Sequence, residues 1–393
     1  MAIRTVVTLP GDGIGKVVLP EALRVLEAVG FEARYVPADI GWEFWIRDGS
    51  ALPERTIELL AEHRIGLFGA ITSKPKDQAA AELSPGLRDK GFVYSSPIVG
   101  LRQRFDLDVS IRPCRSFPGN PLNFIRRKGD GFEEPRVDAV IFRQNTEGLY
   151  GGVEWTNPPP QVRAALDTHP KMARFKDVPG EDLAISTRIF TRAACRRIVR
   201  EAFRYAEKFG YQSVTVCEKP NVIRETSGMM RAEAKAAAKE HPGIALWETN
   251  IDAQMMWMTK NPEDYGVLVS GNMFGDIVSD GFAGLVGGLG FACSANIGKD
   301  VAVFEPTHGS APKYEKLSPS IVNPIAMILT ACMMLDHIGE TDRATRVRDA
   351  VSKVIAAGKV RTYDMMRLAG GPAVFDQGAA NTTQMTDAVI AEL

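Results

Sequence analysis

The sequence predicts an α/β fold with a largely parallel sheet. Two observations carry that expectation. Short apolar runs of strand length alternate with helical patterns along most of the chain. The chain's 393 residues, 45% apolar and 24% charged, suffice for two domains or one large unit with a substantial core.

Taken in order, TVVTLP (5–10) reads as a buried strand and VVLPEALRVLEAVG (17–30) as a helix closed by Gly30. FEARYVPA is the next strand, ERTIELLAEH a helix and IGLFGAI a strand. Further along come the strand VDAVIFRQ, the long helix TRAACRRIVREAFRYAEKFG, the strand SVTVCEK, the helix RAEAKAAAKE and the strand YGVLVSG. Two stretches break the rhythm. Residues 151–182 include three consecutive prolines (158–160) and read as an excursion from the body. Residues 73–95, rich in Lys, Ala and Pro, read as an exposed loop. GDGIG (11–15) sits between a strand and a helix but misses G-x-G-x-x-G, since position 16 is Lys. It reads as a tight turn, not as a Rossmann fingerprint.

Composition narrows the function classes. Lys plus Arg total 47 against 48 for Asp plus Glu, so no charge excess marks a nucleic-acid or membrane partner. Cysteines 114, 195, 217, 293 and 332 form no CxxC pair and read as reduced thiols. The start of the chain lacks a signal-peptide pattern, and the most apolar later stretch, 321–335, is too short to span a bilayer. A cytoplasmic protein without a membrane segment is the expectation.

The candidate chemistry begins with SGNMFGDIVSDGFAGL (270–285). On a helix, Asp276 and Asp280 leave the same face one turn apart, where two like charges repel. Two readings are open: a solvated acidic stripe, or a pair of ligands for a dication. Other polar residues stand at element edges: Arg102, Arg112, Arg143, Tyr150, Lys219 and Asp252. Three guanidiniums suit a substrate with several carboxylates. Three aspartates are hard oxygen donors for Mg²⁺ or Mn²⁺. A lysine and a tyrosine suit proton transfer when their surroundings tune them.

Taken together, PGDGIG, LRQ…IRP, R-x-NTEG-x-Y, K-x-N, GDIVSDGFAGLVGGLG and EPTHGSAP make the chain resemble the metal-dependent β-decarboxylating dehydrogenases of isocitrate, homoisocitrate, 3-isopropylmalate and tartrate/D-malate. The resemblance covers nearly the whole chain. It implies a non-Rossmann isopropylmalate/isocitrate dehydrogenase-like fold of two domains. Residues 1–107 and 287–393 would form the large cofactor-side domain. Residues 108–286 would form a smaller dimerisation domain with a clasp near 151–182. It further implies a homodimer with shared active sites. Arg102, Arg112 and Arg143 would hold the substrate's carboxylates, with Ser96, Ile98 and Asn221 beside them. Asp276 and Asp280 would bind Mg²⁺ or Mn²⁺ together with the partner's Asp252. Tyr150 and the partner's Lys219 would move protons.

On the cofactor side the resemblance places His308, Gly309, Ser310 and Ala311 along the adenosine, with Asn323 nearby. Lys313, Tyr314, Tyr363 and Arg367 look like the residues that meet the 2′-phosphate in NADP-using isocitrate dehydrogenases. NADP is therefore expected, with NAD as the alternative. Isocitrate dehydrogenases pair a serine at the Ser96 position with an asparagine two residues on, where this chain has Ile98 followed by Val99. The pocket thus reads half isocitrate-like and half alkyl-accepting. Isocitrate is the first expectation for the small-molecule tricarboxylate or substituted malate. 3-Isopropylmalate, homoisocitrate or a tartrate/malate-type acid follows, and a non-catalytic regulatory subunit is the reading from another class. Gln144 stands where the family usually has glutamate, and the 73–95 and 313–323 segments are longer than usual.

Overall fold

The computed structural model describes residues 3–393. The chain opens with β1 (Arg4–Gly11), α1 (Gly15–Ala28) and β2 (Ala33–Pro37). α1 buries Val18, Leu19, Ala22, Val25 and Leu26, the stripe that a 3.6-residue period produces. Then come α2 (Trp42–Asp48), α3 (Glu54–His63), β3 (Ile65–Ala70), α4 (Lys76–Glu82), α5 (Pro97–Arg104) and β4 (Val109–Arg115). A short hairpin, β5 (Arg126–Lys128) and β6 (Gly131–Glu133), leads into β7 (Asp138–Gln144).

An arm follows. β8 (Glu154–Thr156) and β9 (Ala184–Ser186) pair antiparallel, with α6 (Pro160–Asp167) between them. Arg163 of α6 donates to the carbonyls of Phe175 and Val178, so one guanidinium gathers the loop of the arm. Return to the body brings α7 (Arg192–Phe209), β10 (Ser213–Glu218), α8 (Arg224–Glu240), β11 (Ala245–Asn250), α9 (Ile251–Lys260), β12 (Val267–Ser270) and α10 (Asn272–Leu285). The chain ends with β13 (Cys293–Ile297), β14 (Ala302–Pro306), α11 (Ile325–His337), α12 (Thr341–Ala357) and α13 (Thr382–Ala391).

Ten strands form one sheet in the order β11-β10-β12-β7-β4-β13-β14-β3-β1-β2. Pairing is parallel toward both edges. At the centre, β7–β4, β4–β13 and β13–β14 run antiparallel. Strands β7, β10, β12 and β14 are buried nearly end to end because helices cover both faces. α11 packs against β13 and β14 and is covered in turn by α1 and α12, which explains its almost uninterrupted burial. A second apolar cluster joins α7 and α8 to β7, β10 and β12. Among the described residues no helix is long and apolar enough to cross a membrane.

The structure departs from expectation at two segments. Residues 73–95 are not simply an exposed loop, because α4 lies within them and Ala79, Leu83 and Tyr94 pack on Trp42 and Trp45. The alanine run that suggested a loop lets the backbone approach closely: Trp45 Nε1 donates to the Ala79 carbonyl at 2.8 Å. α8 also begins earlier than its alanine-rich pattern suggests, at Arg224.

Candidate functional site

The sheet register creates the central cluster. β4 and β7 pair Ser110 with Arg143, while β12 pairs Ser270 with Arg143, so the start of α10 lies beside that arginine. Gly275 permits the approach. A Cβ there would stand 2.8 Å from Arg143 Cγ, closer than packed atoms allow. Arg143 is 2% exposed and donates from Nε to the Asn272 carbonyl at 3.1 Å.

Asp276 is the hub. Its Oδ1 lies 2.9 Å from Arg112 Nη1 and 3.5 Å from Arg143 Nη1, and its Oδ2 accepts from the Tyr150 hydroxyl at 3.2 Å. Arg112 also reaches Ser279 Oγ at 2.8 Å and Asp280 Oδ1 at 3.5 Å. The Arg143 guanidinium carbon sits 5.3 Å from the Tyr150 ring centroid. Burial, reinforced by the positive charges of Arg112 and Arg102, pushes Arg143 down to about 9, against the pull of Asp276. Burial raises Asp280, with Asp276 adding to the rise, while Arg112 pulls it back. The Tyr150 phenol is raised by burial and by the charge of Asp276.

Lys219 and Asp252 stand apart from this hub and are joined to each other. Lys219 Nζ donates to Asp252 Oδ1, and that bond holds the Asp252 carboxyl below the usual range. Asn221 lies exposed in the turn between β10 and α8.

Arg102 is held differently. Its Nη2 lies 2.8 Å from Glu305 Oε1, and its Nε donates to Asn296 Oδ1 at 3.0 Å. Asn296 donates in turn to Glu305 Oε1 at 2.8 Å and accepts from Asn145 Nδ2 at 2.8 Å. These anchors were missed at the sequence level. The available signals were the glutamate that opens EPTHGSAP and an asparagine inside the short strand CSANI.

On α5, Ser96 occupies the N-cap position, but Ile98 does not sit where a substrate residue was expected. Ile98 is 8% exposed and belongs to the apolar cluster of Leu9, Phe68 and Leu101. The reason is helical phase. Ile98 and Leu101, three residues apart, turn inward, while Val99, about a quarter-turn round the helix from Ile98, turns outward. Val99, 39% exposed, is the open apolar side chain.

Of the residues expected on the cofactor side, Lys313, Tyr314 and Tyr363 come together. Lys313 Nζ lies 4.6 Å from the Tyr314 ring centroid, and the Tyr314 and Tyr363 rings meet edge to face at 5.7 Å. Burial and the Tyr314 hydroxyl raise the Tyr363 phenol. Arg367 is not part of that group here, because its Nη2 donates to the Pro121 carbonyl at 3.1 Å. Asn323 bridges the start of α11 and Asp364, accepting from Ile325 N–H and donating to Asp364 Oδ2, both at 3.0 Å. His308 Nδ1 faces the Gly309 carbonyl, and its buried Nε2 has no partner. Ala311 takes a left-handed φ of 36° just after Ser310.

GDGIG is a turn with a structural task. Gly13 has φ 54°, and a Cβ there would lie 2.1 Å from the Ser310 carbonyl oxygen. Ile14 N–H donates to that oxygen at 2.8 Å, and Ser310 Oγ lies 2.6 Å from Thr72 Oγ1. The Asp12 carboxylate accepts from the amides of Trp42 at 2.7 Å and Thr72 at 2.8 Å. A cleft of about 420 Å³ opens beside it, lined by Asp12, Trp42, Thr72, Lys74 and Glu315 among others.

The donor set on α10 fits a hard dication. Two carboxylates one turn apart leave coordination positions for water and substrate, as Mg²⁺ prefers. Among the described residues, no third acid, histidine or cysteine joins them within the chain. Gln144 keeps the surroundings less negative than a glutamate would. It is fully engaged, accepting from Glu147 N–H at 2.7 Å and donating to Thr146 Oγ1 at 3.1 Å.

Comparison with known proteins gives the family. The family profile described as isocitrate/isopropylmalate dehydrogenase matches residues 5–389. The chain is 38% identical, over 98% of its length, to Protein DlpA of Legionella pneumophila, and spans 58% of that protein. It is 38% identical to the 3-isopropylmalate dehydrogenase of Methanothermobacter thermautotrophicus, covering 90% of this chain and 92% of that one. The crystal structure of isocitrate dehydrogenase from Methylococcus capsulatus superposes with a TM-score of 0.81 at 34% identity, covering 99% of both chains.

Proposed function

Because the chain belongs to the isocitrate/isopropylmalate dehydrogenase family, whose enzymes are decarboxylating dehydrogenases using NAD(P) and a divalent metal ion, we propose that it oxidises and decarboxylates a 3-substituted malate. The balanced reaction takes a 2-hydroxy acid and oxidised nucleotide to a 2-oxo acid, CO₂ and reduced nucleotide. Isocitrate with NADP is the first reading. The observation that carries it is Asp276, bonded at once to Arg112, Arg143 and Tyr150.

Arg112 and Arg143 grip the carboxylates of the acid. Arg102, fixed by Glu305 and Asn296, presents a third guanidinium whose orientation is already set. Asp276 and Asp280, with the partner's Asp252, would hold Mg²⁺ or Mn²⁺. A bound dication would supply Lewis-acid polarisation of the 2-oxygen. Tyr150, kept protonated by its raised pKa, delivers a proton to C3 once CO₂ has left. The partner's Lys219 helps remove the hydroxyl proton, passing its own proton to the adjacent Asp252 carboxylate so that its amine is free to accept.

The homodimer with shared sites belongs to the same proposal. Lys219 and Asp252 have no bond to the Asp276 hub of their own chain, and Val222, Met256 and Trp257 nearby are exposed apolar side chains. We place the two bodies at 1–107 with 287–393 and at 108–286, and the 151–182 arm at the subunit contact. Lys313, Tyr314 and Tyr363 support NADP, because a cation and two phenols suit a 2′-phosphate. Val99 supports a second reading, 3-isopropylmalate, since an open valine favours an alkyl substituent over a carboxylate.

The experiment is nucleotide reduction followed by absorbance, with isocitrate, homoisocitrate, 3-isopropylmalate and malate, each with NADP and NAD, with and without Mn²⁺. Turnover that needs Mn²⁺ and one of these acids is expected. Binding of Mn²⁺ and acid without turnover would instead favour a regulatory subunit of the same fold.

A further inference from the structure

A buried ion pair lies outside the hub described above. Glu218 ends β10, one residue before Lys219, and is 1% exposed. Its Oε2 accepts from Arg188 Nη2 and from the Ser227 hydroxyl, each at 2.7 Å, and its Oε1 accepts from Gly271 N–H at 2.7 Å. Arg188 Nη1 donates to Thr226 Oγ1 at 2.8 Å and Ser227 Oγ at 3.0 Å. The guanidinium lies over two rings, 4.4 Å from the Phe190 centroid and 5.0 Å from that of Phe274.

Four elements meet at this pair: the returning end of the arm, the end of β10, the first turn of α8 and the start of α10. A charge pair with a carboxylate this deep is retained only where its hydrogen bonds are satisfied, and here both Glu218 oxygens accept and both terminal nitrogens of Arg188 donate. Neither side chain bonds to Arg112, Arg143, Tyr150 or Asp276. Each instead fixes a backbone that carries one of the proposed reacting groups. Glu218 is bonded in sequence to Lys219, and it holds the amide from which α10 starts, five residues before Asp276.

We propose that Arg188 and Glu218 are positioning residues that fix the end of β10, which carries Lys219, and the start of α10, which carries the aspartates, so that one pair orders a contribution to each of the two shared sites. The inference rests on the reading that those groups serve the decarboxylating oxidation. Displacing the pair leaves the nucleotide site untouched and moves the proton-transfer lysine.

The test compares the full chain with Gly271→Ala, Arg188→Ala and Arg188→Lys. Gly271→Ala keeps every charge, yet its Cβ would stand 2.6 Å from Phe190 Cζ and 2.8 Å from Glu218 Oε1, so the pair has to shift. A fall in kcat of about ten- to a hundredfold is expected in Gly271→Ala and Arg188→Ala, with KM for nucleotide unchanged. Arg188→Lys recovers most of the loss. In parallel, acetylation of Lys219 relative to the exposed Lys353 is read by mass spectrometry and rises in the first two variants. Wild-type kcat and Lys219 labelling in both would overturn the proposal, as would a kcat loss that Arg188→Lys does not relieve. If the wild-type chain reduces nucleotide with no 3-substituted malate, the catalytic reading fails separately, and Lys219 labelling alone decides whether the pair positions it.

Discussion

The Tyr150 hydroxyl donates to Asp276 Oδ2 at 3.2 Å, so the proposed proton donor and a proposed metal ligand are in direct contact. That contact explains why a residue 44% exposed is nonetheless oriented toward the hub. It also orders the roles, because a carboxylate shared with a phenol favours the protonated phenol. Tyr150→Phe keeps the ring over Arg143 and removes only the acid. A fall in kcat on the order of 10² to 10⁴ is expected, with little change in KM for the acid. Steady-state kinetics checks it, and near-normal kcat would remove Tyr150 from proton transfer.

Lys313 is the clearest handle on cofactor choice. It lies against Tyr314, which meets Tyr363, and a 2′-phosphate is the group that would use this cation. Lys313→Asp is expected to lower the ratio of kcat/KM for NADP over NAD by about tenfold or more, roughly 1.4 kcal/mol. An unchanged ratio would leave the NADP assignment without its main support.

Asp108 gives a stability signal separate from catalysis. Burial pushes its carboxyl up to about 6, against the pull of Arg197 2.7 Å away. An acid whose folded pKa is raised binds more protons folded than unfolded between about pH 4 and 6. Its contribution to stability is therefore present at low pH and declines as pH rises through that window. Asp108→Asn lacks this decline. Urea unfolding of both proteins from pH 4 to 7 should show the wild type losing on the order of 1 to 3 kcal/mol relative to the variant. Parallel curves would contradict the raised carboxyl.

The alternation of apolar runs made the parallel edges of the sheet legible, because β1, β3, β7, β10 and β12 are buried over most of their length and centre on apolar residues such as Val7, Leu67, Ile141, Val216 and Leu268. The antiparallel centre was not legible. β13 interleaves Ser294 and Asn296 with apolar residues, and those polar atoms are met by Ser110 of β4, Arg102, Asn145, Val303 and Glu305, most of them far away in sequence. The same limit applied at the site. Motif spacing brought Arg112, Arg143, Tyr150, Asp276 and Asp280 into view, and the structure gathers them. Spacing counted Ile98 into the pocket, but helical phase, fixed by what α5 packs against, turns it into the core and leaves Val99 open. Arg367 was grouped with Tyr363 by the family resemblance, whereas its backbone has a left-handed φ of 57° and its side chain reaches Pro121.

The most direct measurement is a Mn²⁺ titration of the wild-type chain and of Asp280→Asn, followed by the electron paramagnetic resonance signal of free Mn²⁺ in the presence of isocitrate and of 3-isopropylmalate. Saturable binding in the wild type, weakened about tenfold or more in the variant alongside a matching loss of Mn²⁺-dependent turnover, is the expected result. Equal Mn²⁺ affinity and equal turnover in the two proteins would contradict the claim that the α10 aspartates hold the reaction's cation.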